Sequence, residues 1–240
     1  MTIKAQLFIT CLQEQFFPGS LKNMVTVLER LGVRCEFPRA QTCCGQPMFN
    51  SGYAELAREQ AKHTIRVFAG DRPVVVPSGS CAAMVKVEYP HLLEGDAAWH
   101  ARAMNLAVRT FEFSDFLVNQ LQVTDVGAKY RGKIAFHFAC HLRMLNHTSE
   151  VETLIRHVAG ATYVPLHRQD QCCGFGGSFA VRYPHISGNM VEDKMQCILA
   201  SGADCVVSTD AGCLMNIGGR MHREGKPTEL LHIAELLDRR

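Results

Sequence analysis

Two sets of cysteines repeat along this chain at one spacing. In the first half, 31 residues separate Cys11 from Cys43-Cys44-Gly45, and 36 separate Cys44 from Cys81. In the second, 31 residues separate Cys140 from Cys172-Cys173-Gly174, and 39 separate Cys173 from Cys213. A repeat of this kind implies two copies of one supersecondary unit. Whatever fold serves one set must therefore serve the other.

The flanking sequence repeats as well. The apolar runs 5–10 and 134–139 end at Cys11 and Cys140, and both read as buried strands. Residues 73–80 and 204–212 begin as valine-rich strands, pass through a Gly/Ser turn and lead to Cys81 and Cys213. Helical patterns fill 21–31, 54–69, 151–159 and 186–200, and residues 99–121 read as a further helix bridging the halves. Strand and helix in alternation predict an α/β fold of two tandem, pseudo-symmetric βαβ-type units. Their sheets are parallel, with cysteines at the carboxyl ends of strands. The pattern breaks near 120–131, which predicts units at 1–125 and 126–240.

Composition narrows the chemistry. A chain of 240 residues, 47% hydrophobic and 20% charged, buries a core without covalent staples. A net charge of +2 with no long Lys/Arg run argues against nucleic acid as the main partner. No apolar stretch approaches the roughly 20 residues of a membrane span. The opening Met1-Thr2-Ile3-Lys4 lacks an export pattern, so the expected compartment is the cytoplasm, where lasting disulfides are rare. Eleven cysteines, an odd number, in such a compartment point to metal or redox chemistry.

Cysteines placed just after parallel strands converge on the crevice outside the strand ends. The following helix N-termini turn free N–H groups toward the same place and favour thiolates. The glycine after each cysteine pair lets the backbone turn sharply beside a bulky ligand. Cys11, Cys43, Cys44 and Cys81 are thus one candidate four-thiolate site, and Cys140, Cys172, Cys173 and Cys213 a second. Soft thiolates select iron–sulfur clusters, zinc or copper(I). Structural zinc favours close Cys-x₂₋₄-Cys pairs, whereas a vicinal pair with distant partners suits a larger cluster. Zinc stays open as the alternative.

Three segments carry a family resemblance: Pro77-Ser-Gly-Ser-Cys81, Cys172-Cys-Gly-Phe-Gly-Gly177 and Gly212-Cys-Leu-Met-Asn-Ile-Gly-Gly219. With the cysteine spacing they resemble the CCG cysteine-rich domain found in heterodisulfide reductase and in the iron–sulfur subunit of glycolate oxidase. They resemble the lactate-utilisation protein A family more closely, over nearly the whole chain. The resemblance implies an electron-transfer subunit of a multi-subunit system that oxidises L-lactate to pyruvate. Its implied partners are a ferredoxin-type iron–sulfur subunit and a third companion protein. The full pattern ends each repeat in Cys-x-x-Cys, and five cysteines hold a noncubane [4Fe-4S] cluster in heterodisulfide reductase. Met84 and Asn216 stand at the last positions here, so one four-cysteine [4Fe-4S] cluster per half is the simpler expectation. Competing expectations are a thiol or disulfide reductase acting at the clusters, and a zinc-stabilised interaction subunit without redox function.

Outside the repeat, Cys35, Cys197 and Cys205 read as small buried hydrophobes. His137, His141 and His147 surround Cys140, as cluster neighbours or as ordinary polar histidines. Lys86 and Arg143 read as cations that offset cluster charge or as solvated helix faces. Phe49, Phe175 and Phe179 read as shields against water. Gly174-Phe-Gly-Gly177 lacks the order of a nucleotide-binding loop. No nucleophilic triad, carboxylate pair, flavin or nicotinamide motif stands out, so no catalytic residue is assigned.

Overall fold

The valine runs are central strands because both faces of each are covered: every residue of Val74–Val76 and Cys205–Ser208 is buried. The computed structural model describes residues 3–146, 149–226 and 228–240. In the first half, β1 (Lys4–Leu7) leads into α1 (Cys11–Phe16) and α2 (Pro18–Arg30). β2 (Arg34–Glu36) is followed by α3 (Gln46–Asn50) and α4 (Ala54–Val67). β3 (Val74–Val76) enters α5 (Gly79–Ala83), which runs through a π-helical stretch, Met84–Glu88, into α6 (Tyr89–Leu92). After α7 (Ala97–Val108) come β4 (Thr110–Glu112), α8 (Phe113–Asp115) and a second π-helical stretch, Phe116–Gln120.

The second half repeats this plan. β5 (Lys129–Phe136) leads to α9 (Cys140–Met144) and α10 (Glu150–Arg156), and β6 (Ala159–Tyr163) to α11 (Ser178–Arg182) and α12 (Pro184–Ser201). β7 (Cys205–Ser208) feeds α13 (Ala211–Arg223), and β8 (Glu229–His232) feeds α14 (Ile233–Asp238). Each half forms a four-stranded sheet with all pairs parallel, in the orders β2-β1-β3-β4 and β6-β5-β7-β8. The two orders are the same, so the repeat is one of fold as well as of cysteine placement.

The helices cover the sheets by their apolar stripes. In α2, Leu21, Met24, Val27 and Leu28 are buried at helical spacing, and Pro18 starts the helix where its missing N–H costs nothing. The halves pack reciprocally. Helix α1 rests on α13 as α9 rests on α5, and α2 on α14 as α10 on α8. Equivalent elements exchange contacts in both directions, as an approximate two-fold relation requires.

Polar groups tie this interface. Asp210 Oδ1, in the second half, accepts from Ser78 Oγ at 2.8 Å and from the Ser80 N–H at 3.0 Å. The buried His232 ring approaches the carbonyls of Pro77 (2.8 Å) and Thr209 (3.2 Å) through Nε2. Asn23 donates to Asp238 at 2.7 Å, and Arg30 pairs with the same carboxylate.

Residues 99–121 are not one helix. Thr110–Glu112 breaks away and pairs with Val74–Val76 as the edge strand β4. Three residues are too few to display an alternating pattern, and the strand exists because a neighbour offers it a ladder. The short β8 escapes a sequence reading for the same reason.

Candidate metal centres

In each sheet the chain travels outward from the first strand, then returns to add the next on its other side. The crevice at such a switch point, beyond the strand ends, is where open α/β sheets collect ligands. Cys11 opens α1 after β1, and Cys81 lies in the first turn of α5 after β3. The Cys43-Cys44 pair enters from the segment after β2. Cys140 and Cys213 take the same places on α9 and α13.

The structure brings both predicted sets together. Cys11 Sγ lies 3.6 Å from Cys43 Sγ, and Cys44 Sγ 3.3 Å from Cys81 Sγ. In the second set Cys173 Sγ lies 3.1 Å from Cys213 Sγ, and Cys140 lies within electrostatic reach of Cys172. None of these cysteines forms a disulfide. Both sets grade alike from rim to interior: Cys44, Cys81, Cys173 and Cys213 are buried, while Cys11, Cys43, Cys140 and Cys172 are half-buried. A cleft of about 600 Å³ opens on Cys11 and Cys43, walled by Ile9, Phe37, Arg39 and Gln41.

The electrostatics repeat too. Thiol hydrogen bonds from Cys11 and Cys44, joined by the Gly45 N–H, hold Cys43 down at about 3. Donation from Cys140 and Cys173, with the Gly174 N–H at 3.3 Å, holds Cys172 at about 2. Their neighbours Cys11, Cys44, Cys140 and Cys173 move up, first because they are the donors of those hydrogen bonds and then by burial. In each set the first cysteine of the vicinal pair is thus the one pushed toward the thiolate, the form that binds metal.

Supporting residues differ between the sets. Tyr89 Oη donates to the Cys44 carbonyl at 2.7 Å, and Asn216 Nδ2 to the Cys173 carbonyl at 2.8 Å. Asn216, at the place of a further family cysteine, thus braces a vicinal pair, while Met84 is buried in the core. Lys194, fully buried on α12, donates to the carbonyls of Arg168 (3.1 Å) and Gln169 (3.4 Å) and lies within electrostatic reach of Cys172 and Cys173. Lys194 escapes a sequence reading because its helix position is remote from every cysteine of the second set, and Tyr89, on the helical run that starts at Cys81, because its partner Cys44 lies 45 residues away in the chain.

The remaining candidates separate clearly. Cys205 on β7 is buried as expected, its thiol raised by burial to about 12, whereas Cys35 on the edge strand β2, raised to about 11, and Cys197 on α12, against the His167 carbonyl, are only half-buried. Lys86 donates to the carbonyls of Ala107 and Thr110, at 3.2 and 2.8 Å, fastening α7 and β4. Arg143 pairs with Asp170 at the surface. His141 Nδ1 lies 3.5 Å from Cys140 Sγ, and His147 lies outside the described residues. His137 is buried beside the inner thiols: its ring nitrogen, Cys173 Sγ and Cys213 Sγ all lie within 4.8 Å of one another. Phe175 covers Gly212, where a Cβ would meet the ring at 2.5 Å. Phe49 packs at the core edge, and Phe179 against Tyr183 at 5.6 Å.

The glycines of the two Cys-Cys-Gly turns are unequal. Both have left-handed φ, +87° at Gly45 and +80° at Gly174. A Cβ at Gly174 would meet the Ser187 carbonyl oxygen at 2.8 Å, whereas at Gly45 it would meet the flexible Gln60 side chain at 3.0 Å. Gly174→Ala is expected to destabilise the metal-free protein by about 2–4 kcal/mol, and Gly45→Ala by about 1–2. Denaturant unfolding checks this, and the reverse order would contradict it.

Comparison with known proteins agrees with the repeat. The CCG cysteine-rich domain matches twice, at residues 5–86 and 134–218. The chain is 50% identical over 235 residues to lactate utilization protein A of Anoxybacillus flavithermus, covering 98% of each. It is 46% identical over 239 residues to lactate utilization protein A of Bacillus licheniformis, covering 99% of this chain and all of that one. A hypothetical protein from Helicobacter pylori shares the fold, with a TM-score of 0.68 at 7% identity. The match takes in 98% of this chain and 48% of that longer one. Two CCG domains in tandem, and near-full-length identity approaching one half, establish that the chain belongs to the lactate utilization protein A family.

Proposed function

We propose that the chain is an iron–sulfur electron-transfer subunit of a multi-protein system that oxidises L-lactate to pyruvate. Cys11, Cys43, Cys44 and Cys81 hold one [4Fe-4S] cluster, and Cys140, Cys172, Cys173 and Cys213 hold the other. The names of the relatives support the lactate context, and the convergence of thiols beyond the strand ends of each sheet supports a metal centre in each half. Four thiolates on one zinc at about 2.3 Å would sit about 3.8 Å from each other. Among the described residues no three thiols of either set lie within 4.8 Å of one another, and the one trio of donors that does includes His137. Zinc on His137, Cys173 and Cys213 would leave the whole first set without a role.

A bound cluster of this type supplies reversible one-electron transfer. Oxidation of lactate to pyruvate releases two electrons and two protons, and two centres can hold both electrons. The chain's own residues keep each centre anchored and dry. Tyr89 and Asn216 fix the vicinal pairs through their carbonyls, Phe175 excludes water, and Lys194 places positive charge below the second set. No residue is assigned to lactate itself, whose oxidation belongs to the wider assembly. The partners are a ferredoxin-type iron–sulfur subunit and a third companion protein, and the compartment is the cytoplasm. No helix among the described residues is long and apolar enough to cross a membrane. A division at 1–125 and 126–240 belongs to the same reading, since each sheet draws all its strands from one side of it.

Protein purified without exposure to air is expected to hold about eight irons and eight acid-labile sulfides per chain, one [4Fe-4S] cluster for each four-thiolate set. Metal and sulfide analysis with EPR checks this. Stoichiometric zinc without sulfide would replace the electron-transfer reading with that of a zinc-stabilised interaction subunit.

A further inference from the structure

The two halves place different side chains at one position beside their cysteines. The Phe8 N–H donates to the Val75 carbonyl at 2.9 Å, and the His137 N–H to the Val207 carbonyl at 2.8 Å. Each residue lies three positions before the first cysteine of its set. They are the same site in the repeated fold. Phe8 is buried and packs its ring on Phe68, with centroids 4.9 Å apart. His137 is equally buried, at 1% exposure, and neither Nδ1 nor Nε2 has a hydrogen-bond partner.

A buried polar atom without a partner costs about 1–3 kcal/mol, and this ring carries two. Phenylalanine serves the same position in the first half without that cost, so packing alone does not account for a histidine. The orphaned nitrogens point to something the ring can bind, and its nearest soft donors are Cys173 and Cys213, mutually within 4.8 Å of it. A neutral imidazole offers a lone pair at one of its ring nitrogens. The other nitrogen then carries a hydrogen that a cluster sulfur or thiolate can accept.

We propose that His137 is a direct ligand of the second centre, adding an imidazole nitrogen to Cys140, Cys172, Cys173 and Cys213, so that the two centres of this chain differ in kind. The first centre, with Phe8 at the matching position, is held by cysteines alone. This ligation presupposes the iron–sulfur reading above.

The test is pulsed EPR on protein grown with ¹⁵N-histidine and purified anaerobically. Spectra are recorded in whichever state, dithionite-reduced or ferricyanide-oxidised, is paramagnetic. A strong ¹⁵N coupling is expected in the native protein. It should vanish in His137→Phe, which copies the residue the first half tolerates at this position, and persist in His141→Ala. A native spectrum without strong coupling, or with only the weak coupling of an N–H···S contact, overturns the ligation while iron and sulfide content uphold the clusters. Coupling that survives in His137→Phe also overturns it, because another histidine is then the source. Protein with zinc and no sulfide overturns the cluster reading and this ligation together. The native measurement decides the matter even if the variant folds poorly.

Discussion

Replacing Cys44 with serine is expected to remove about half of the iron and sulfide, leaving about four of each per chain on the second ligand set. Cys44 is buried and joins Cys43 to Cys81, with Cys81 Sγ 3.3 Å away. Serine there offers a weaker, harder donor in an enclosed place. The second set shares no thiol with the first, so its cluster should survive. Cys173→Ser is the mirror experiment and should spare the first centre. Cys35→Ser and Cys197→Ser should leave the iron content near its native value, since one lies on β2 and the other on α12, apart from both sets. Metal and sulfide assays under nitrogen give the answer. Loss of all iron in Cys44→Ser would show that the two sets are not independent sites, and loss of none that Cys44 is not a ligand.

Asp210→Ala is expected to lower stability by about 2–4 kcal/mol, the cost of leaving buried partners of a carboxylate unpaired. At roughly 2–4 °C per kcal/mol for a chain of this size, the melting midpoint should fall by about 4–16 °C. Asp210 stands just before α13, which carries Cys213, and its side chain accepts from Ser78 and Ser80 at the start of α5, which carries Cys81. One carboxylate thus joins the helices that present a cysteine of each set. Asp210→Asn keeps an acceptor oxygen and should lose less. In a double-mutant cycle, Ser78→Ala should cost less once Asp210 is alanine, the remainder being its cap on α5. Thermal unfolding under anaerobic conditions measures both. A change below about 0.5 kcal/mol, typical of an exposed site, would mean that the halves do not depend on this contact.

Much of the protein was legible in its sequence, for a specific reason. A repeated cysteine spacing with strand-like runs before it encodes a fold and a ligand set together, because parallel strands deliver everything that follows them to one end of a sheet. Val74–Val76 and Val206-Val207 announce central strands, since only residues covered on both faces can be apolar without alternation. From these features the α/β class, the two tandem units and the grouping of Cys11, Cys43, Cys44 and Cys81 apart from Cys140, Cys172, Cys173 and Cys213 all follow. The tertiary structure alone decided the rest. Thr110–Glu112 is a strand because β3 lies beside it, and no pattern within three residues could announce that. Lys194 reaches the second set from α12, and Asp210 reaches across to Ser78, through contacts that span 25 to 132 residues. The difference between Phe8 and His137 is visible in the letters. That the imidazole is buried, unpartnered and turned to Cys173 and Cys213 depends on how the second half packs, because burial and pairing belong to the folded surroundings of a side chain and not to its neighbours in the chain.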